Sequence, residues 1–120
     1  MSRPTSRSGA SRSAARPAPT VPEFDSVVHQ RVRLGILSAL AAGGSMSFTD
    51  LKAVLDLTDG NLSVHARKLE DAGYVTVRKQ FADRVPLTEY ALSPSGRKAL
   101  DEYLNQMEAV IQAARGLPKP

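Results

Sequence analysis

Asp59, Gly60, Asn61, Ser63, Val64, Arg67 and Lys68 lie in one short stretch that mixes small, polar and cationic side chains. His65 adds an imidazole to it, which raises the question of catalysis. On a helix, however, Ser63 and His65 point in different directions, and with Asp59 they make no set of nucleophile, base and orienting group. No glycine-rich phosphate loop or paired-carboxylate motif occurs elsewhere in the chain. There is no cysteine, and His29 and His65 are the only histidines. That removes disulfides, thiolate metal sites and cysteine nucleophiles, and no enzyme, metal or other cofactor is expected. The residue types suit binding without chemistry. A helix that is slim and polar at its start and basic further along fits a major groove, bringing side chains to base edges and cations to phosphates. The plainer alternative is a surface helix with a solvated charged face.

The element that must hold these residues is the stretch Leu57–Val75, LTDGNLSVHARKLEDAGYV. Leu62, Ala66 and Leu69 recur at the spacing of a helix with one buried face. Thr58 is placed to cap its start, with Asn61 as an imperfect box partner, and Gly73 to end it in a left-handed turn. His65 is half-turned toward the core, which leaves a structural role and a backbone contact both open. A helix is expected ahead of it over Phe24–Ala42, capped by Asp25 or Ser26, with Val28, Val32, Ile36, Leu37 and Leu40 facing inward. Gly35 leaves room there for another element, Gly43-Gly44 ends the helix, and His29 reads as a surface or interface residue. Ser47 opens a short second helix, SFTDLKAVL, with Asp50 as a capping-box variant and Phe48, Leu51 and Leu55 on its apolar side. Ser45–Met46 reads as a very short strand. Asp56-Leu57 then turns the chain, and Leu57 plugs the corner of a helix-turn-helix.

Tyr74 to Lys79 alternates apolar and polar residues as a half-buried strand does. Gln80 to Leu87 reads as a polar connection and Thr88–Leu92 as the returning strand, so a hairpin is expected without an Asn-Gly turn. It concentrates Arg78, Lys79 and Arg84, although edge strands also carry cations simply to block sheet-to-sheet pairing. Ser93-Pro94 then starts a long helix that runs to about Arg115, closed by Gly116. Leu100, Tyr103, Leu104, Met107, Val110, Ile111 and Ala114 mark an apolar seam over about two heptads. The economical cover for such a seam is the same helix of a second copy, giving a two-fold homodimer. Packing back on the first helix is the alternative.

The 120 residues allow one small domain with an aliphatic core. Formal charge is +4, and it is unevenly placed. Residues 1–22 hold Arg3, Arg7, Arg12 and Arg16 and no acid, whereas the rest balances twelve cations against twelve acids. Nucleic-acid binding by the folded part must therefore rest on where its charges sit. The 1–22 segment, rich in Ser, Arg, Ala and Pro, is expected to be disordered. It serves either as a DNA-touching arm or as a solvated tail; its prolines argue against an organellar transit helix. The apolar run within Leu34–Ala42 is too short to span a bilayer, so no membrane partner is expected, and the lack of cysteine fits a cytoplasmic protein.

The order of helix, short helix, polar helix, hairpin and long helix resembles the winged helix-turn-helix repressors of the MarR and ArsR type. Closer still is a compact winged-helix DNA-binding group whose hallmark is similar to LTDGNLSVHARKLEDAGYV followed by a wing and a segment like YALSPSGRKAL. The likeness spans about Phe24 to Leu104. It implies a mainly α fold with a small β-hairpin wing (α+β), divided into a tail (1–22), a winged helix-turn-helix (23–93) and a dimerisation helix (94–116). It also implies that Asp59, Gly60, Asn61, Ser63 and Val64 face bases, and that Arg67 and Lys68, with Arg78, Lys79 and Arg84 of the wing, meet phosphates. Metal sensing, known in ArsR-type proteins, finds no Cys/His cluster here, and no effector pocket is visible. The expected function is a dimeric, sequence-specific regulator of double-stranded DNA, a repressor on an inverted-repeat operator. The alternative is a winged helix that docks proteins and not DNA.

Overall fold

The computed structural model describes residues 22–116. Nearly all of the tail expected over 1–22 thus lies outside the described residues, as do residues 117–120. Helix α1 spans Arg31–Gly43, and its apolar positions Val32, Ile36, Leu37 and Leu40 form one side of the core. It starts later than the expected Phe24. Asp25 Oδ1 accepts from the backbone N–H of Val27 (2.8 Å) and of Val28 (3.2 Å), closing a local turn that competes with the helix. Gln30, rather than Asp25 or Ser26, caps α1 by accepting from Arg33 N–H at 2.8 Å. The non-helical lead Phe24–Gln30 still buries Val28 completely. The Tyr74 hydroxyl donates to Asp25 Oδ2, pinning this lead beside the exit of the reading helix. Burial works to raise the Asp25 pKa, but the bonds from Tyr74, Val28 and Val27 outweigh it and the pKa falls. The same hydrogen bond, followed by burial, pushes the Tyr74 hydroxyl up to about 12.

A two-residue strand β1, Met46–Ser47, leads into α2, Phe48–Leu55, capped by Ser47 as expected, with Asp50 N–H donating to Ser47 Oγ at 3.0 Å. Asp56 turns the chain in the left-handed region (φ 54°) and Leu57 packs into the corner against the core. Helix α3, Asp59–Asp71, follows with Thr58 as its cap, accepting from Asn61 N–H at 3.1 Å. Gly73 exits the helix at φ +81°, the left-handed geometry that glycine adopts without steric cost. Gly35 proves sterically free: a Cβ there would meet Leu55 Cδ2 at 3.5 Å, an ordinary contact.

Strands β2, Val75–Ala82, and β3, Val85–Leu92, form a hairpin, with β1 added antiparallel to β3 in the sheet order β1-β3-β2. The hairpin differs from expectation. Gln80 to Leu87 is not a loop, because the strands continue to the pair Ala82↔Val85 and only Asp83-Arg84 turns. Both turn residues have positive φ, 51° and 68°, the twist that suits a two-residue hairpin loop. Arg84 occupies a position where glycine would normally signal such a turn.

Helix α4, Pro94–Arg115, starts on Ser93 and ends at Gly116 (φ 68°), as the caps indicate. Leu100 and Tyr103 correct the expected dimer seam. They are buried within this chain (2% and 4% exposed) because α4 packs against α1 and β3, so they are core residues and offer nothing to a second copy. Tyr103 also meets the lead, its hydroxyl lying 2.9 Å from His29 Nδ1 while Phe24 stacks on that imidazole at 4.6 Å.

Close approach is demanded at Gly96. A Cβ there would collide with the Tyr74 carbonyl oxygen and lie 2.8 Å from its carbon, so α4 rides directly on the backbone that leaves α3. Ser93 N–H donates to that same carbonyl at 3.1 Å. We expect Gly96→Ala to destabilise the fold by about 1–3 kcal/mol, as overpacked sites do. Gly35→Ala should leave stability equal or higher, since alanine is the better helix former. Urea denaturation of the two variants checks the contrast.

Candidate nucleic-acid interface

Three core contacts set how α3 is rolled. Leu62, Ala66 and Leu69 are at most 2% exposed, so the opposite side of the helix carries Gly60, Val64 and Lys68 into solvent. Asn61 and His65 flank that side toward one edge, Ser63 and Arg67 toward the other. Every base-facing candidate is exposed: Asp59, Gly60, Asn61, Ser63 and Val64. Val64, at 55% exposure, is an apolar side chain standing on a polar helix face, which suits contact with a thymine methyl group. Gly60 has open space around it and no positive φ, so neither packing nor backbone geometry in this chain requires glycine there.

The charges are not equally free. Asp59 is paired with Lys52 of α2 (2.8 Å) and Arg67 with Asp71 (3.4 Å), both at exposed sites where such pairs contribute little. Lys68 has no carboxylate at ion-pair distance among the described residues. In the hairpin, directly opposed residues share a face and neighbours alternate. Val75, Val77, Tyr90 and Leu92 lie on the core side. Lys79 and Phe81 continue that side beyond the body, whereas Arg78 falls on the reverse, where it reaches Glu89 at 3.4 Å. Arg78 and Lys79, expected together, therefore serve opposite faces. Arg84 stands at the tip, exposed, in a left-handed conformation that costs a non-glycine residue about 1–2 kcal/mol.

His65 is tied to α1: Arg33 Nη1 lies 3.1 Å from its Nδ1. Arginine only donates, so His65 Nδ1 accepts and the ring proton resides on Nε2. Asp59, Ser63 and His65 thus have separate partners or none, and no catalytic relay forms. Among the described residues no group of three His, Asp or Glu side chains is placed to hold a metal ion.

A family model described as a winged helix DNA-binding domain matches residues 32–111. The chain belongs to the winged-helix DNA-binding domain family. An uncharacterised protein of Methanocaldococcus jannaschii is 36% identical over 84 residues, covering 70% of this chain and 87% of that protein. A solved transcriptional regulator homologue from Pyrococcus horikoshii OT3 superposes with a TM-score of 0.70 at 36% identity, over 74% of this chain and 88% of that one. The structure of a MarR-family regulator from Enterococcus faecalis V583 shares the fold at 23% identity, with a TM-score of 0.67 over 76% of this chain and 82% of that one. The winged-helix architecture expected from the residue order is the one the protein has.

Arg33 is the winged-helix residue that reading the sequence missed. Its partner is 32 positions away, so no local spacing announces the contact. Burial and the charges of Arg33, Lys68 and Arg31 hold the His65 pKa below its ordinary 6.5. The unfolded chain therefore takes up this proton first, and acidification from about pH 6.5 downward through the lower folded value favours unfolding. The His65 contribution to stability is fully present above that window. Thermal melts between neutral and mildly acid pH should show a loss for the native protein that His65→Gln reduces.

Proposed function

We propose that this winged-helix protein is a homodimeric transcription regulator, acting as a repressor on an inverted-repeat operator in double-stranded DNA. The observation that carries the reading is the exposed outer side of α3, with Gly60, Val64 and Lys68 in line, in a domain that also extends a rigid hairpin with Arg84 at its tip. In this reading Asp59, Gly60, Asn61, Ser63 and Val64 select base edges, each good contact contributing about 1–3 kcal/mol of discrimination. Arg67 and Lys68 meet the backbone. Lys79 and Arg84 supply the wing's cations, and Arg78 approaches from its reverse face. Residues 23–93 act as the reading domain and 94–116 as the dimerisation helix. The setting we propose is the cytoplasm.

The exposed apolar residues on the second half of α4, Leu104 (49%), Val110 (37%) and Ile111 (42%), support pairing with a second copy. Met107, half-buried against the core, and Ala114 complete the reduced seam. Two-fold pairing would set the half-sites about 34–36 Å apart, one helical turn of DNA. Ile111→Glu is expected to give a monomer in analytical ultracentrifugation and to abolish binding to the two-half-site duplex while the melting temperature stays near that of the native chain.

Exposed Phe81 (74%) and Val85 (61%) near the hairpin tip favour a second reading, a winged helix that docks a protein. Selection from a random duplex pool decides between the two. The regulator reading requires one enriched inverted repeat, with affinity that falls steeply with salt, and fails if no sequence is enriched over bulk DNA at moderate salt. On the selected duplex, Val64→Ser should relax the preference at one base pair by about 1–3 kcal/mol. Arg84→Gly should leave stability equal or raised by about 1 kcal/mol, because the left-handed cost disappears, yet weaken DNA binding. That opposite movement of stability and affinity is what a purely structural arginine would not produce.

A further inference from the structure

We propose that Arg31, His65 and Lys68 form a phosphate-binding cluster on the α1 side of the reading helix, with Arg33 as the positioning residue that aims His65 at the phosphate. The proposal rests on the DNA-binding reading above and adds to it a contact, carried by α1, that lies outside the helix-turn-helix and the wing.

The Arg33 guanidinium is fixed before it reaches the histidine. Its Nε donates to the Val27 carbonyl at 2.7 Å and its Nη2 to the Ser26 carbonyl at 3.4 Å, which leaves Nη1 to point across to α3. There it meets His65 Nδ1 at 3.1 Å. With Nδ1 accepting, the imidazole is neutral and its Nε2–H, on the far side of the ring, is a donor that no described residue takes up. Lys68 follows His65 by three residues and so emerges on the same flank of α3, one turn along. Arg31 is exposed at the first position of α1, the helix that packs on α3 at this flank.

Counter-charge separates this cluster from the other cations of α2 and α3 and from Arg78. It does not separate it from Lys79 and Arg84 of the wing, which likewise have no carboxylate at ion-pair distance among the described residues. Lys52, Arg67 and Arg78 each have a carboxylate within ion-pair distance, whereas among the described residues Arg31, Arg33 and Lys68 have none. Burial first, and then the charges of Arg33, Lys68 and Arg31, disfavour a proton on His65. Gathering like charges without a counter-ion is unfavourable in the free protein and is relieved by a bound anion. A neutral N–H donor between two flexible cations matches a phosphate oxyanion: two charges for neutralisation and one directed hydrogen bond for position. The source we assign is the DNA backbone, and a free phosphate has the same chemistry.

The test uses the full chain and the selected operator duplex, with affinity measured by fluorescence anisotropy across a range of KCl concentrations. Arg31→Ala and Lys68→Ala should each lower affinity about tenfold and reduce the slope of log K against log salt by about 1. Arg33→Lys keeps the charge, so the slope should hold, but affinity should fall several-fold. At the same time the 15N resonances of His65 should move from a single Nε2–H tautomer toward a mixture. His65→Gln retains a donor and should keep most of the affinity that His65→Leu loses. Native binding to the duplex with unaltered affinity and slope in Arg31→Ala and Lys68→Ala overturns the cluster and leaves the regulator reading standing. A parallel titration with inorganic phosphate, followed at the His65 ring, separates the sources. Saturation there combined with unchanged DNA slopes assigns the cluster to a free anion and overturns the backbone assignment. If the native chain prefers no duplex, the regulator reading is what fails, and absence of any phosphate effect at His65 then removes the cluster as well.

Discussion

The burial of Leu62, Ala66 and Leu69 is the constraint on which the rest depends. Three small to medium apolar side chains lock the roll of α3 about its own axis, and a roll error of one residue, about 100°, would turn Ser63 and Arg67, or His65 and Lys68, into the core. All that surrounds the helix serves that lock. α1 supplies Val32, Ile36 and Leu40, α2 supplies Leu51, β2 and β3 supply Val75 and Tyr90, and α4 closes the core with Leu100 and Tyr103. Binding specificity requires positions held to a fraction of an ångström, and a reading helix on a packed scaffold provides that where a loop would not.

Two further ties hold the interface from the side. The lead Phe24–Gln30 has no regular structure, yet it connects three elements: Asp25 reaches Tyr74 at the exit of α3, His29 reaches Tyr103 on α4, and the Val27 carbonyl orients Arg33 toward His65. At the same end of α3, Gly96 lets α4 sit on the Tyr74 backbone. The dimerisation seam proposed for α4 is thereby coupled rigidly to the reading helix, so the spacing of two such helices would follow from the pairing of two α4 segments. The hairpin obeys a similar economy. Its two-residue turn makes the projection stiff, at the cost of holding Arg84 in a conformation that glycine would adopt more readily.

Where the residues in order mislead, each departure has its own physical cause. Helix α1 was expected from Phe24 because apolar periodicity runs back that far, but the Asp25 carboxylate captures the Val27 and Val28 amides locally. The hairpin loop was expected to be long because Asp83-Arg84 carries no glycine, and the pairing of the strands outweighs that absent signal. Leu100 and Tyr103 were assigned to a partner because the seam is continuous along α4; one helical stripe serves two neighbours in turn, its first half filled by this chain's own core.

Local order determined what depends on neighbours in sequence: the caps at Ser47, Thr58 and Ser93, the left-handed stops at Gly73 and Gly116, and the polar side of α3 with all its exposed candidates. Those features are set by hydrogen bonds and side-chain periodicity within a few residues, so they are visible without coordinates. Tertiary structure alone decided which cations are paired, that Arg78 and Lys79 face opposite ways relative to the body, and that Arg33 meets His65 across 32 positions. The reason is physical: electrostatic and packing partners are chosen by distance in space, and a one-dimensional pattern carries no record of distances beyond its own turn of helix or pleat of strand.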